Sequence, residues 1–328
     1  MGPTLDVIIV NWNTGPQLRE CLASLSGAQR NGYVLGRVVV VDNASSDHSA
    51  DDLFCPSLPL SMIWNISNRG FAAACNQGAE GSLADYLLFL NPDTRVFDDT
   101  LSKSVAWMES PENSRTGILG VQLLDEDGKI SPTCARFLAT RHYIYRMFGL
   151  RHAFPKIFRD YECSEWDHSD SRHVEHVMGA YFFIRSCLFK EVNGFDERFF
   201  IYLEDVDLSL RALRAGWSSY YLATAQCHHA GGGSSRQIKA RRLFYALQSR
   251  IFYAFKNFRA GSAITLLLAT LFIEPIVRIG HAMVRGSVTQ IAEVFQANWQ
   301  LWCSLPRILN SAYLRKGEAL RLDGSKVR

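Results

Sequence analysis

None of the eight cysteines in this 328-residue chain, at positions 21, 55, 75, 134, 163, 187, 227 and 303, stands in a Cys-x-x-Cys pair. That scatter excludes a zinc ribbon and reads as reduced thiols, which implies a cytosolic active site. A charged-then-apolar leader is also missing, because strand-like residues begin almost at once, so no signal peptide is expected. The longest uninterrupted apolar run, Ala263 to Ile273, ends before Glu274, Pro275 and Arg278. It falls short of the ~20 residues that a spanning helix needs, which predicts an interfacial or re-entrant helix instead. No glycine-rich basic loop near the N-terminus could grip a triphosphate, which weighs against a nucleotidyltransferase. The basic and aromatic residues form no recognised nucleic-acid module, so no nucleic acid partner is expected.

What is present is a repeated pattern of an apolar strand ending in a polar cluster. Asp6 to Val10 runs into Asn11, Trp12 and Asn13; Val38 to Val41 into Asp42, Asn43, Ser45, Ser46 and Asp47; Leu87 to Leu90 into Asn91, Pro92 and Asp93. Each cluster alone is ordinary turn chemistry. Three in succession, with helical segments between them, describe an α/β half-domain whose loops converge on one edge, where open parallel sheets bind ligands. In Asn68 to Gly78, Asn68 reads as a helix N-cap that leaves amides for a diphosphate. Ala72, Ala73 and Ala74 allow close backbone approach there, and Arg69 can reach a phosphate or a sugar hydroxyl.

A fourth segment, Gly194 to Gly216, places Glu204 and Asp205 at a helix start. Leu203, Val206, Leu210 and Leu213 predict the apolar stripe of that helix, and Gly216 its C-terminal glycine. After the strand-like run Tyr220 to Ala225 come His228, His229 and the glycines Gly231 to Gly233. Residues 125 to 176 are rich in aromatic side chains without a clear period, and rings such as Trp166 can stack on sugars.

The chain resembles family 2 glycosyltransferases, and most the bacterial rhamnosyltransferase-like branch. The resemblance rests on Asn11 to Asn13 with Cys21 to Leu25, Val39 to Asp47, Asn68 to Gly78, Leu87 to Val96, Met178 to Arg185, the Glu204 helix and His228 to Ser235. It implies a GT-A nucleotide-diphospho-sugar transferase fold, with a mixed, mostly parallel sheet between helices, over residues 1–240. Within it, residues 1–100 would bind the nucleotide sugar and 101–240 the acceptor. It also implies inverting transfer of a sugar to an acceptor hydroxyl. By the same resemblance Asp205 is the general base, with Glu204 shaping the acceptor site. Asp42 contacts the nucleobase, and Asn11, Asn13, Asn43, Asn68, Arg69, Asn91, Gly179 and Trp166 complete the substrate contacts. Asp93 matches the last acid of the family's Asp-x-Asp metal motif and would hold Mg²⁺ or Mn²⁺ with His228 as first choice and His229 as second. Asn91 replaces the motif's first acid, so a modest metal affinity is expected.

A helix start stabilises the Asp205 carboxylate and weakens it as a base, whereas burial has the opposite effect. The sequence leaves that balance open. The donor expected first is dTDP-rhamnose, then a UDP-hexose or UDP-galactofuranose, since Asp42 suits the imide of thymine or uracil alike.

From Arg236 onward the chain carries 15 Lys+Arg against 4 Asp+Glu, whereas the residues before it carry 20 against 28. A basic, apolar helical region, 241–328, is thus joined to an acidic body. It suits the anionic inner face of the plasma membrane and a saccharide or lipid-linked acceptor, each well-placed basic residue adding roughly 1 kcal/mol. Core packing or a homodimer interface are the other readings of this region. A non-catalytic nucleotide-sugar-binding or scaffold subunit is the other reading of the chain.

Overall fold

The apolar runs that end in polar clusters are strands of one sheet. In the computed structural model, which describes residues 2–150, 154, 157, 158, 161–231 and 239–323, the chain divides into two units. The first comprises Met1–Phe137, Tyr161–Glu197 and Glu204–Ser234; the second comprises Leu138–Asp160, Arg198–Leu203 and Ser235–Arg328. Gly232 to Arg236, which include part of the histidine-glycine motif, lie outside the described residues.

The first unit opens with β1 (Thr4–Asn11), α1 (Gln17–Gly27), β2 (Val34–Asp42), β3 (Leu60–Trp64), α2 (Phe71–Ala79) and β4 (Tyr86–Leu90). Then come β5 (Thr94–Val96), α3 (Thr100–Glu109), β6 (Thr116–Leu124), β7 (Ile130–Ser131) and β8 (Cys134–Ala135). After α4 (Thr140–Met147), which belongs to the second unit, follow β9 (Arg172–Val174), β10 (His176–Val177), β11 (Tyr181–Arg185) and α5 (Ser186–Glu191). The unit closes with α6 (Glu204–Arg214) and β12 (Ser218–His229).

The sheet order is β3-β2-β1-β4-β11-β6-β12-β5. The pairs β3/β2, β2/β1, β1/β4 and β6/β12 are parallel, and β11 runs antiparallel to both of its neighbours. Register aligns the strand ends, with Asn11 beside Asp42 and Asp42 beside Trp64. The three polar clusters therefore leave the sheet at one edge.

Alternation along β1 separates two cores, because successive side chains in a strand point to opposite faces. Leu5, Val7 and Ile9 pack with Leu18, Leu22 and Leu25 of α1 and Leu101 and Val105 of α3. Ile8 and Val10 pack with Ala72 and Ala74 of α2, Leu188 of α5 and Leu208 of α6. Each such buried aliphatic side chain contributes roughly 1.5–3 kcal/mol.

Helix α6 differs from its predicted stripe. It buries Val206, Leu208 and Ala212 with the polar Glu204 and Asp207, while Leu213 is exposed and Leu203 precedes the helix at a φ of 67°. An ion pair makes this face tolerable: Arg211 Nε lies 2.8 Å from the fully buried Asp207 carboxylate. Gly216, at a φ of 87°, terminates the helix as expected. Asn68 is not the N-cap of α2. Gly70 holds that position at a φ of 86°, and Asn68 Oδ1 instead accepts the Gly70 N–H at 2.9 Å.

The second unit is helical: α4, α7 (Lys239–Asn257), α8 (Ala260–Leu268), α9 (Glu274–Val284) and α10 (Val288–Asp323). A π-turn over Ala269–Ile273 joins α8 to α9, so Ala260–Val284 is one continuous helix of 25 residues. By length and composition it could cross a membrane, which corrects the expectation of a segment too short. Glu274 and Pro275 do not end the apolar run. Glu274 turns inward, buried, to pair with Arg250 and Arg278, and Pro275 directly follows the π-turn, in the first turn of α9.

Candidate active site

The first two polar clusters form a hub. Asn11 Nδ2 donates to Asp42 Oδ1 at 2.8 Å and to the hydroxyls of Ser45 and Ser49 at 3.1 and 2.9 Å, and Asn11 Oδ1 accepts from Thr14 Oγ1. Asp42 Oδ2 accepts the Ser45 N–H at 3.0 Å. Asn43 Oδ1 accepts the Arg69 N–H, and Asn43 Nδ2 donates to Asn68 Oδ1. Asn11, Asp42 and Asn43 are 0–3% exposed. They bond to one another and to the loop amides, which organises the edge. Asn13 is half-buried and its Oδ1 accepts the Ser46 N–H at 2.7 Å.

Two substrate expectations fall elsewhere. Arg69 is exposed and lines a groove of about 690 Å³ beside Asn76, Lys190 and Glu197. Trp166 stacks on His168 at 4.0 Å, lies 4.2 Å from the Arg172 guanidinium and donates its indole N–H to Asp170. Its ring is engaged within the chain, not presented to a sugar.

The third cluster is a tight turn. Asn91 donates its N–H to Ala180 O, and its own carbonyl accepts from the N–H and hydroxyl of Thr94. This turn aims Asp93 at β12, whose antiparallel pairing with β5 sets His229 opposite Thr94 and His228 opposite Arg95. His229 Nε2 lies 3.4 Å from Asp93 Oδ1. The His228 ring packs on Phe97 at 4.7 Å. The histidines thus lie inside a strand, not after it, and the second choice, His229, is the one that meets Asp93. Both border a cavity of about 250 Å³ with Gln17, Glu20, Arg95, Asp125 and Glu126.

At the start of α6, Asp205 Oδ2 accepts the Gly179 N–H at 2.9 Å and lies 3.3 Å from His176 Nε2, while Oδ1 accepts the Val206 N–H at 2.8 Å. Burial pushes the Asp205 carboxyl up, but His176 and the two amides outweigh it and hold the group below its ordinary range. Glu204 is the reverse case. Burial, reinforced by the Asp205 charge, pushes its carboxyl well above the ordinary value, and among the described residues its Oε2 has no hydrogen-bond partner. The two neighbouring carboxyls are thus pushed in opposite directions, the kind of division by which acid and base roles are recognised.

This α/β edge with two acidic centres can be placed in a family. The model for glycosyl transferase family 2 matches residues 6–156, and that for glycosyl transferase family group 2 matches residues 86–306. The chain belongs to glycosyl transferase family 2. It is therefore a glycosyltransferase, similar to rhamnosyltransferases.

An N-acetylglucosaminyl-diphospho-decaprenol L-rhamnosyltransferase of Mycobacterium tuberculosis is 27% identical over 77% of this glycosyltransferase and 85% of the relative. Rhamnosyltransferase WbbL of Escherichia coli is 27% identical over 52% and 61%. A mannosyltransferase from Pyrobaculum calidifontis, solved with GDP-Man and Mn²⁺, shares the fold. Its TM-score is 0.51 at 16% identity, covering 96% of this chain and 87% of that one. The mixed sheet is the GT-A type.

For a divalent cation, the transferase offers Asp93 and His229. Among the described residues, no cluster of three or more His, Cys, Asp or Glu surrounds a common point. One carboxylate and one imidazole fit an ion that takes its remaining oxygen ligands from a diphosphate and water. His176 was not legible as a site residue, since its partner lies 29 positions away and only the β10–β8 bridge and the α6 start bring them together.

Proposed function

We propose that this glycosyltransferase moves a sugar, L-rhamnose from dTDP-rhamnose first, to a hydroxyl of a saccharide or lipid-linked saccharide in cell-surface polysaccharide assembly, with inversion. The observation that carries the reading is the geometry at the start of α6: Asp205 accepts the Gly179 and Val206 N–H groups and lies 3.3 Å from His176 Nε2, with Glu204 buried beside it. Asp205 takes the acceptor's proton as the acceptor's oxygen attacks the anomeric carbon, and Glu204, whose carboxyl burial pushes up, shapes the acceptor site. General base assistance of this kind contributes roughly 10²- to 10⁴-fold.

Asp93 and His229 would hold Mg²⁺ or Mn²⁺ against the donor diphosphate. When bound, such an ion offsets the charge that develops on the leaving nucleoside diphosphate. The hub supports a nucleoside at the same edge. Asp42 keeps lone pairs beyond its two hydrogen bonds, enough to accept from a thymine or uracil imide.

The second unit supports a membrane-linked acceptor at the inner face of the plasma membrane. Its helices expose Phe272, Ile276, Phe295, Trp299 and Trp302. Several of these line an apolar cavity of about 560 Å³; Arg278 and Arg307 are exposed on the same helices, and Arg285 is exposed just after α9. Aromatic and basic side chains together are the composition of a bilayer interface.

The test is transfer and hydrolysis with a panel of nucleotide sugars, with and without Mg²⁺ or Mn²⁺, for the unmodified protein, Asp93→Ala and Asp205→Asn. Metal-dependent turnover of one donor, lost in both variants, is expected. Donor binding with no turnover under any acceptor would overturn the reading in favour of a non-catalytic subunit.

A further inference from the structure

We infer that His176 is a positioning residue for Asp205: its buried ring fixes which oxygen of the proposed base faces the acceptor. This rests on the proposed role of Asp205. The ring is held from both sides along the chain. His176 pairs with Ala135 and Val177 with Cys134 across the β10–β8 bridge, and the Met178 N–H donates to Thr133 O at 2.8 Å. His176 is 5% exposed, so neither solvent nor a mobile loop sets its orientation.

The contacts make the two oxygens of Asp205 unequal. Oδ2 accepts from Gly179 N–H and faces His176 Nε2, whereas Oδ1 accepts only from Val206 N–H. Oδ1 therefore carries the freer lone pair. In transfer, the acceptor O–H bond breaks and its proton moves to Oδ1. The acceptor oxygen's electron pair forms the bond to the anomeric carbon, and the pair of the breaking sugar–oxygen bond leaves on the diphosphate. Rotation of the carboxylate would exchange the oxygens, and His176 with Gly179 opposes that rotation.

Among the described residues neither ring nitrogen of His176 has a hydrogen-bond partner, and Nε2 meets Asp205 Oδ2 only as a 3.3 Å charge contact. An orphaned buried polar atom lowers stability, and an apolar side chain would fill this place without that cost. The imidazole is thus not explained by packing. Among the described residues, the titratable side chain that meets His176 is Asp205, with Glu204 before it at the start of α6 and Cys134 opposite Val177 on β8. The Cys134 thiol is pushed far up by burial and stays neutral, so Asp205 is the anion that His176 meets.

The experiment compares His176→Leu, His176→Gln and Asp205→Asn in kcat, KM and the pH profile of transfer. His176→Leu is expected to lower kcat about 10- to 100-fold, the range seen when a group that orients another is removed, with donor KM unchanged. The acid limb of its profile moves to higher pH, because the carboxylate loses a partner that favours its charged form. His176→Gln, which keeps an N–H donor near the Nε2 position, restores most of kcat. Equal kcat and an unmoved acid limb in His176→Leu would overturn the inference. Should that variant not fold, His176→Asn replaces it: its amide is too short to reach Oδ2, and parity with His176→Gln would be equally fatal. Full transfer by Asp205→Asn would instead remove the base assignment itself, which separates the two failures.

Discussion

His229 Nε2 stands 3.4 Å from Asp93 Oδ1, while the ring of His228, its neighbour in sequence, packs on Phe97. The pairing of β12 with β5 decides this, since consecutive strand residues cannot face one partner. His229→Ala is therefore expected to lower metal-dependent transfer by at least about 100-fold, the upper end of the loss seen when a mere outer-shell partner is removed. His228→Ala should cost far less. Titration of activity with Mn²⁺ distinguishes them, with the midpoint moving only for His229→Ala.

Glu204 makes stability depend on pH. Its folded carboxyl sits well above the ordinary 4.5, so above that value the folded state binds more protons than the unfolded chain. Its contribution to stability is full below the unfolded value and is lost as pH rises toward the folded one. Glu204→Gln, close in shape to the neutral acid, removes that decline. Melting temperatures from pH 5 to pH 9 should fall less steeply for the variant.

The Asn11 hub predicts a large structural effect from one small side chain. Asn11→Ala strips a buried partner from Asp42, Ser45, Ser49 and Thr14 together. Each buried group left unpaired costs roughly 1–3 kcal/mol, so a loss of at least about 2 kcal/mol is expected. Urea denaturation measures it, and a midpoint unchanged from that of the unmodified protein would contradict the hub's role.

The exposed aromatics of the second unit predict lipid binding that their removal weakens. Phe295→Ala with Trp299→Ala should reduce co-sedimentation with anionic vesicles, and Arg285→Glu should weaken it by about 1 kcal/mol or more. High salt should reverse the arginine effect more than the aromatic one.

Period and composition were enough to reveal the strands and the loops that close them. A run such as Val38 to Val41 has no stable place except a buried strand, and the polar residues that follow Asp42 leave the sheet. The α/β class, the convergent edge and the contrast between an acidic body and a basic tail were legible for that reason. Local patterns could not show which polar groups would spend their hydrogen bonds on one another. Asn11, Asp42 and Asn43 look like ligand contacts one at a time, yet across neighbouring strands they close a network. Trp166 looked open until Arg172 and His168 were folded onto it. The helix Ala260–Val284 looked broken at Glu274 until Arg250, 24 positions earlier, supplied its counter-charge. Burial and pairing between distant residues also settled the balance at Asp205, where His176 and two amides outweigh desolvation. Propensity acts within a few residues and is written along the chain, whereas charge compensation acts through space and exists only once the chain has folded.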